Sequence, residues 1–151
     1  MTAPLLERSG IAERIPHSGS MCLLESLERW NLEHIVCTAI SHRDPANPLR
    51  SASGLLATCA IEYAAQAMAL HGALVGHAQG TAMGPGYLAS ARGVRLMRWR
   101  LDDLPGDLRV EATRSAGDAS QLLYAFQMSH AGTAIASGRA TVVLNTPIDP
   151  P

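Results

Sequence analysis

Lysine is absent from this chain, and twelve arginines face thirteen acidic residues for a formal net charge of −1. Without a basic stripe there is nothing to follow a phosphate backbone, so nucleic acid is not an expected partner. Cysteine is sparse: Cys22, Cys37 and Cys59 are an odd number at spacings that suggest no disulfide framework. His34 and Cys37 form an H-x-x-C pair, but a three-residue offset on an extended strand points the two side chains to opposite faces. They read as structural, and neither a metal nor a cofactor is expected. Also missing is an apolar run at the start, where MTAPLLERSGIAERI carries acids instead of a signal sequence, so a reduced, cytoplasmic protein is expected.

Charge is missing from the middle of the chain. Between Arg50 and Arg92 the one residue charged throughout the neutral range is Glu62, inside LLATCAIEYAAQAMALHGALVG at 55–76. That segment is long enough to cross a bilayer, for which about 20 apolar residues suffice. Thr58, Glu62, Gln66 and His71 interrupt it, alanine adds little hydrophobicity, and no basic flank marks a cytoplasmic side, so no membrane span is expected.

What is present is enough for one compact domain over 1–151: 151 residues, 47% of them hydrophobic, with no repeat or linker. LLESLERW (23–30) and HIVCTAI (34–40) read as two strands joined by a short hairpin connection, followed by the loop SHRDPANPLRSASG. Residues 55–76 are helical by composition, with Gly76 as a stop. Four further strands follow at 87–101, 108–116, 121–129 and 133–144, with a bulge expected at Gly93 and a loose tail at 145–151. Two strands, one helix and four strands make an α+β pattern in which a curved antiparallel sheet wraps a long central helix.

On that helix Thr58, Glu62, Ala65, Gln66, Ala69 and Ala73 share one face, with Ala64, Met68 and His71 opposite. A helix with no solvated face is expected to be buried all round. A carboxylate there either reaches an arginine or a backbone donor, or it serves chemistry with its pKa raised by desolvation. His71, across the helix from Glu62, reads as a core histidine. The small stripe Ala65, Ala69 and Ala73 either packs closely on the sheet or leaves room for a narrow acyl chain lined by Met68 or Met83.

Three segments together, IPHSGSMCLLESL, SHRDPANPL and AIEYAAQAMALHGAL, resemble the hotdog-fold β-hydroxyacyl-acyl-carrier-protein dehydratases. With GYLASARGVRL and GRATVVL included, nearly the whole chain is most similar to the branch associated with aryl polyene biosynthesis. The resemblance implies dehydration of 3-hydroxyacyl thioesters on acyl carrier protein to trans-2-enoyl thioesters, with a hotdog thioesterase or a non-catalytic hotdog subunit as alternatives. It places the catalytic glutamate on Glu62, the helix glutamine on Gln66 and the catalytic histidine on His42, with His17 in IPHSGSM as the rival. His42 lacks the family's Gly-His-Phe-Pro setting and lies twenty residues before Glu62. The histidine would act as base toward the α-proton and the glutamate as acid toward the departing hydroxyl. Oxyanion donors are expected at the first helical turn near Ala57 and Thr58, although the family's Pro-Gly there is replaced by a Gly54 that comes three residues early. Ala57, Thr58, Gln66 and Ala69 are therefore the expected substrate-binding positions. A homodimer or a mixed assembly with another hotdog protein follows from the same resemblance, with histidine and glutamate contributed by different subunits. Arg92, Arg95, Arg98 and Arg100 form the expected docking surface for an acidic carrier.

Overall fold

The computed structural model describes residues 3–81 and 86–144. Its elements are β1 (Leu6–Glu7), α1 (Arg8–Ala12), β2 (Ser26–Trp30), β3 (His34–Ala39), α2 (Ala60–Ala78), β4 (Gly86–Leu96), β5 (Leu108–Gly117), β6 (Gln121–His130) and β7 (Thr133–Leu144). All strand pairs are antiparallel, in the order β1-β2-β3-β5-β6-β7-β4. This one sheet curls round α2, the architecture expected from the sequence. The expected positions of Met83 and of the loose tail at 145–151 lie outside the described residues.

Period-two patterning makes the sheet one-sided. On β6, Leu122, Tyr124, Phe126 and Met128 are buried while Gln121, Leu123, Ala125 and Gln127 are exposed. Leu108, Val110 and Ala112 of β5 bury the same face, and Leu70 and Tyr63 of α2 meet it with no exposed surface. Each such aliphatic side chain contributes about 1.5–3 kcal/mol of transfer free energy.

The sequence pattern missed β1 and α1, which are too short for periodicity to register, and it extended β4 too far. Met97–Arg100 leave the sheet, and Leu96, Met97 and Trp99 are exposed. The bulge at Gly93 is present: its φ is +58° and the register slips between Arg92 and Arg95. Because Gly93 and Val94 of β4 there oppose the single residue Gly138 of β7, Arg92 and Arg95 fall on one face.

Helix α2 begins later than composition implies and runs past Gly76. A 3-10 turn at Ala57–Cys59 precedes it, and Gly80 at φ +67° follows its end. Its lead-in is anchored by Asp102, which accepts from the Leu55 amide (3.0 Å) and pairs with Arg50 (3.0 Å) and Arg100. The Arg100 guanidinium holds the Asp102 carboxyl well below the usual carboxylate range. Gly54 closes the preceding turn at φ +91°, and a Cβ there would lie 2.7 Å from the Asp102 carboxylate. Gly54→Ala therefore combines an unfavourable backbone with a displaced ion pair, at about 2–3 kcal/mol. A melting temperature lower by roughly 5–10 °C is expected by calorimetry.

Candidate active site

Most of α2 is buried, but one stripe is not. Glu62 is exposed, and Ala65, Ala69 and Ala73, successive turns along the same face, are only half-buried. The expectation that the sheet wraps the helix on all sides is corrected here. The curl of a single seven-stranded sheet leaves an open cleft along this stripe, so Glu62 is not desolvated within one chain.

The cleft has a volume of about 520 Å³. Glu62, Ala65, Met68, Ala69 and Ala73 form one wall, and Leu88, Leu122, Tyr124, Val142 and Leu144 from the sheet form the other. From Glu62 to Ala73 the helix rises about 16 Å, the length of a medium acyl chain in extended form. Further polar groups come from the segment after α1, where Arg14 and His17 line the same cleft as Glu62, and from Tyr87 and Tyr124 of the sheet. His17 is half-buried, and its Nδ1 is buried with no hydrogen-bond partner. A buried, unpaired ring nitrogen in a cleft is uncommon enough to invite a functional explanation.

His42 shares that feature, its Nδ1 also being buried with no hydrogen-bond partner, but it sits elsewhere in the fold. It sits on a 3-10 turn at Ser41–Arg43 with no exposed surface, and it lies outside the Glu62 cleft. Its Nε2 donates to the Leu104 carbonyl at 3.0 Å, since a carbonyl can only accept. Burial pushes the imidazole below its ordinary pKa, so it stays neutral. Within one chain the structure brings Glu62 together with His17 rather than with His42.

Gln66 is buried one turn after Glu62, with both ends of its amide engaged: Oε1 accepts from the Leu23 amide at 2.8 Å and Nε2 donates to the Met21 carbonyl at 2.7 Å. Ala69 lines the cleft. Ala57 and Thr58 do not: they line a second cavity, of about 570 Å³, with Leu96, Met97 and Trp99. The Ala57 amide, expected to be free, donates to the Trp99 carbonyl at 2.8 Å. The 3-10 turn ahead of α2 pairs this segment with the chain after β4, which removes that donor from use.

Two features escaped the sequence reading. Arg14 carried no signal beyond its charge. The other is a buried chain of hydrogen bonds behind the cleft wall. His71 Nε2 donates to the Asn31 carbonyl (2.8 Å), its Nδ1 accepts from the Tyr124 hydroxyl (2.7 Å), and Arg114 donates to the same hydroxyl (2.9 Å). Burial, with Arg114 and His34 adding to it, pushes the His71 imidazole down to about 4, while the bond to Asn31 opposes the shift. An unfolded histidine titrates near 6.5, so the unfolded chain binds more protons between these values. The contribution of His71, about 2–3 kcal/mol, is complete above pH 6.5 and falls away as the pH drops toward 4. Melting temperature should decline over that window, and His71→Gln should flatten the decline. The Asp102 effect follows at lower pH, below the unfolded carboxylate range.

Cys37 and His34 are structural in placement. Cys37 is fully buried, with burial pushing its thiol up to about 12, and His34 Nδ1 meets the Thr113 hydroxyl at 2.8 Å. Among the described residues no three His, Cys, Asp or Glu side chains gather to hold a metal, and no helix is long and apolar enough to cross a membrane.

Among solved structures, a chain of the dehydratase heterocomplex ApeI:P from Xenorhabdus doucetiae is similar over 97% of this chain and 93% of its own, with TM-score 0.80 and 22% identity. A point mutant of a Pseudomonas aeruginosa thioesterase shares the fold over 93% of this chain and 94% of its own, with TM-score 0.66 and 12% identity. A putative thioesterase from Shewanella oneidensis does so over 91% and 93%, with TM-score 0.63 and 15% identity. These likenesses establish the hotdog fold, a long helix wrapped by an antiparallel sheet. No curated protein matches the chain. Residues 9–149 match the family described as ApeP dehydratase, nearly the whole of the chain, and the chain belongs to the ApeP-like dehydratase family.

Proposed function

We propose that this protein removes water from 3-hydroxyacyl chains held as thioesters on an acyl carrier protein, giving trans-2-enoyl thioesters in fatty-acid-like or aryl polyene biosynthesis. The observation that carries the reading is the pairing of Glu62 and His17 in one cleft whose remaining walls are largely apolar and as long as an acyl chain. A neutral histidine takes the α-proton, the C–O bond at the β-carbon breaks, and the carboxylic acid delivers a proton to the leaving hydroxyl. Charge developing on the thioester oxygen calls for a donor in the cleft, and Arg14 engages one N–H with the Gly10 carbonyl while retaining others for this role.

In this reading a second hotdog chain, of the same or a related kind, closes the open stripe and excludes water from Glu62. Among the described residues the outer edge of β4 is unpaired, and the similar ApeI:P chain comes from a dehydratase heterocomplex. The three free cysteines suit a reducing cytoplasm. The deciding experiment supplies the purified protein, alone and with a second hotdog protein, with a 3-hydroxyacyl carrier thioester and follows the conjugated enoyl product. Product from the protein alone supports an autonomous enzyme. Product only on mixing selects a supporting subunit. Release of free thiol without enoyl product selects the thioesterase alternative, which open access of water to Glu62 favours.

The carrier would dock on arginines, but not on all those expected. Arg98 pairs with Asp103 (2.9 Å) and Arg100 with Asp102, whereas Arg92 and Arg95 make no ion pair among the described residues. Arg139 lies directly opposite Arg92 across the β4–β7 pair, a like-charge juxtaposition that costs stability. We assign the docking surface to Arg92, Arg95 and Arg139. With a carrier-bound substrate kcat/KM should fall as salt rises, and more weakly in Arg92→Gln/Arg139→Gln; an unchanged salt dependence would remove this surface from the scheme.

A further inference from the structure

The segment that brings His17 to the cleft is not part of the sheet. From Pro16 to Cys22 its backbone bonds are local, Met21 to the Ser18 carbonyl (3.1 Å) and Cys22 to the Gly19 carbonyl (3.2 Å), and it turns through Gly19 at φ +58°. Such a segment would wander unless side chains held it, because each unrestrained residue retains about 1–2 kcal/mol of backbone entropy.

Side chains from two helices do hold it. Arg8, in the first turn of α1, donates from Nη2 to the Gly19 carbonyl (2.7 Å) and to the Cys22 carbonyl (2.8 Å), and from Nε to Cys22 again (3.2 Å). Arg8 makes no ion pair among the described residues, so its bonds all serve this loop. Gln66 grips the next stretch from the side of α2, through the Met21 carbonyl and the Leu23 amide. The two grips bracket residues 19–23, and the Gln66 grip lies one turn from Glu62.

We propose that Arg8 and Gln66 are positioning residues that fix the loop carrying His17 against the Glu62 cleft, Arg8 by clamping two of its carbonyls and Gln66 by joining it to the catalytic helix. Charge-assisted bonds to two carbonyls set both the distance and the twist of the loop, which a neutral side chain of similar bulk cannot do. The proposal rests on the reading that His17 acts at this site. It also gives the helix glutamine a role on the protein's own backbone rather than on substrate.

The test is a double-mutant cycle in the assembly that carries dehydration. Arg8→Met should lower kcat by roughly 10–100-fold with KM little changed, since misplacement by about 1 Å costs on that order. Arg8→Lys should recover part of the loss, because one ammonium can still reach a carbonyl. In a His17→Ala background Arg8→Met should have almost no further effect on kcat. In the protein without substrate, Arg8→Met should also move and broaden the His17 ring resonances while leaving those of His34 in place. Gln66→Leu should behave as Arg8→Met does; if it fails to fold, the Arg8 series alone decides. Wild-type kcat and unshifted His17 resonances in Arg8→Met, or an equal fractional loss in the His17→Ala background, would overturn the proposal. Wild-type turnover by His17→Ala itself would instead overturn the assignment of His17, a distinguishable result.

Discussion

Glu62→Gln should leave the fold intact and reduce dehydration by roughly 10²–10⁴, the usual loss for removal of a general acid. The amide matches the carboxyl in shape but has no proton to deliver to the leaving hydroxyl. Stability should change little, because Glu62 is exposed and makes no hydrogen bond or ion pair among the described residues. Substitution of such a residue moves stability by about 0.5 kcal/mol or less. Rate and melting temperature measured on the same preparation separate the outcomes. Near-normal turnover would end the catalytic assignment, and a large thermal shift would mean that Glu62 has a structural partner in the assembled protein.

The second large effect distinguishes the two histidines. His17→Ala should cost a comparable 10²–10⁴ in kcat with a small thermal effect, because the ring lines the cleft and has few bonds to lose. His42→Ala should act the other way, leaving a hole at a fully buried position and an unpaired Leu104 carbonyl, with about 2–4 kcal/mol of stability lost. Mixing inactive variants then reports which chain supplies which group. If His17 and Glu62 act within one chain, a mixture of His17→Ala and Glu62→Gln has a lesion at each site and recovers nothing. If the base is His42 from the partner subunit, as the family resemblance implies, a mixture of His42→Ala and Glu62→Gln should regain roughly a quarter of wild-type activity. That figure follows because half the dimers are mixed and each of these has one intact site. Subunit exchange must be verified separately by mass.

Legibility in the sequence followed the range of the interactions involved. The alternation along β5, β6 and β7 is a local property of each strand, and it placed these elements within a residue or so. The helix was equally visible, but its start was not. Composition continues unbroken from Leu55 to Ala60, and long-range bonds, from the Ala57 amide to the Trp99 carbonyl, from the Leu101 amide to the Leu55 carbonyl and from the Leu55 amide to Asp102, hold that lead-in out of the helix. The glutamate stood out because it is alone among uncharged neighbours. The histidine that shares its cleft did not, because nothing local tells the histidine of IPHSGSM from that of SHRDP; the segment that follows the former is held by bonds from Arg8 and from Gln66, which lies 43 to 45 residues from the backbone groups it binds.

Sequence by itself determined the α+β order, the hotdog resemblance, the lone carboxylate on the long helix and the absence of a basic track for nucleic acid, since each is written in residue types and short spacings. Tertiary structure alone decided that the helix keeps one open stripe, that Gln66 binds backbone, that Ala57 is engaged, that Arg98 and Arg100 are neutralised, and which histidine shares a cleft with Glu62. The reason is physical: burial, hydrogen-bond pairing and charge compensation depend on which distant segments the curl of the sheet brings within about 3 Å of one another, and no local pattern encodes that distance.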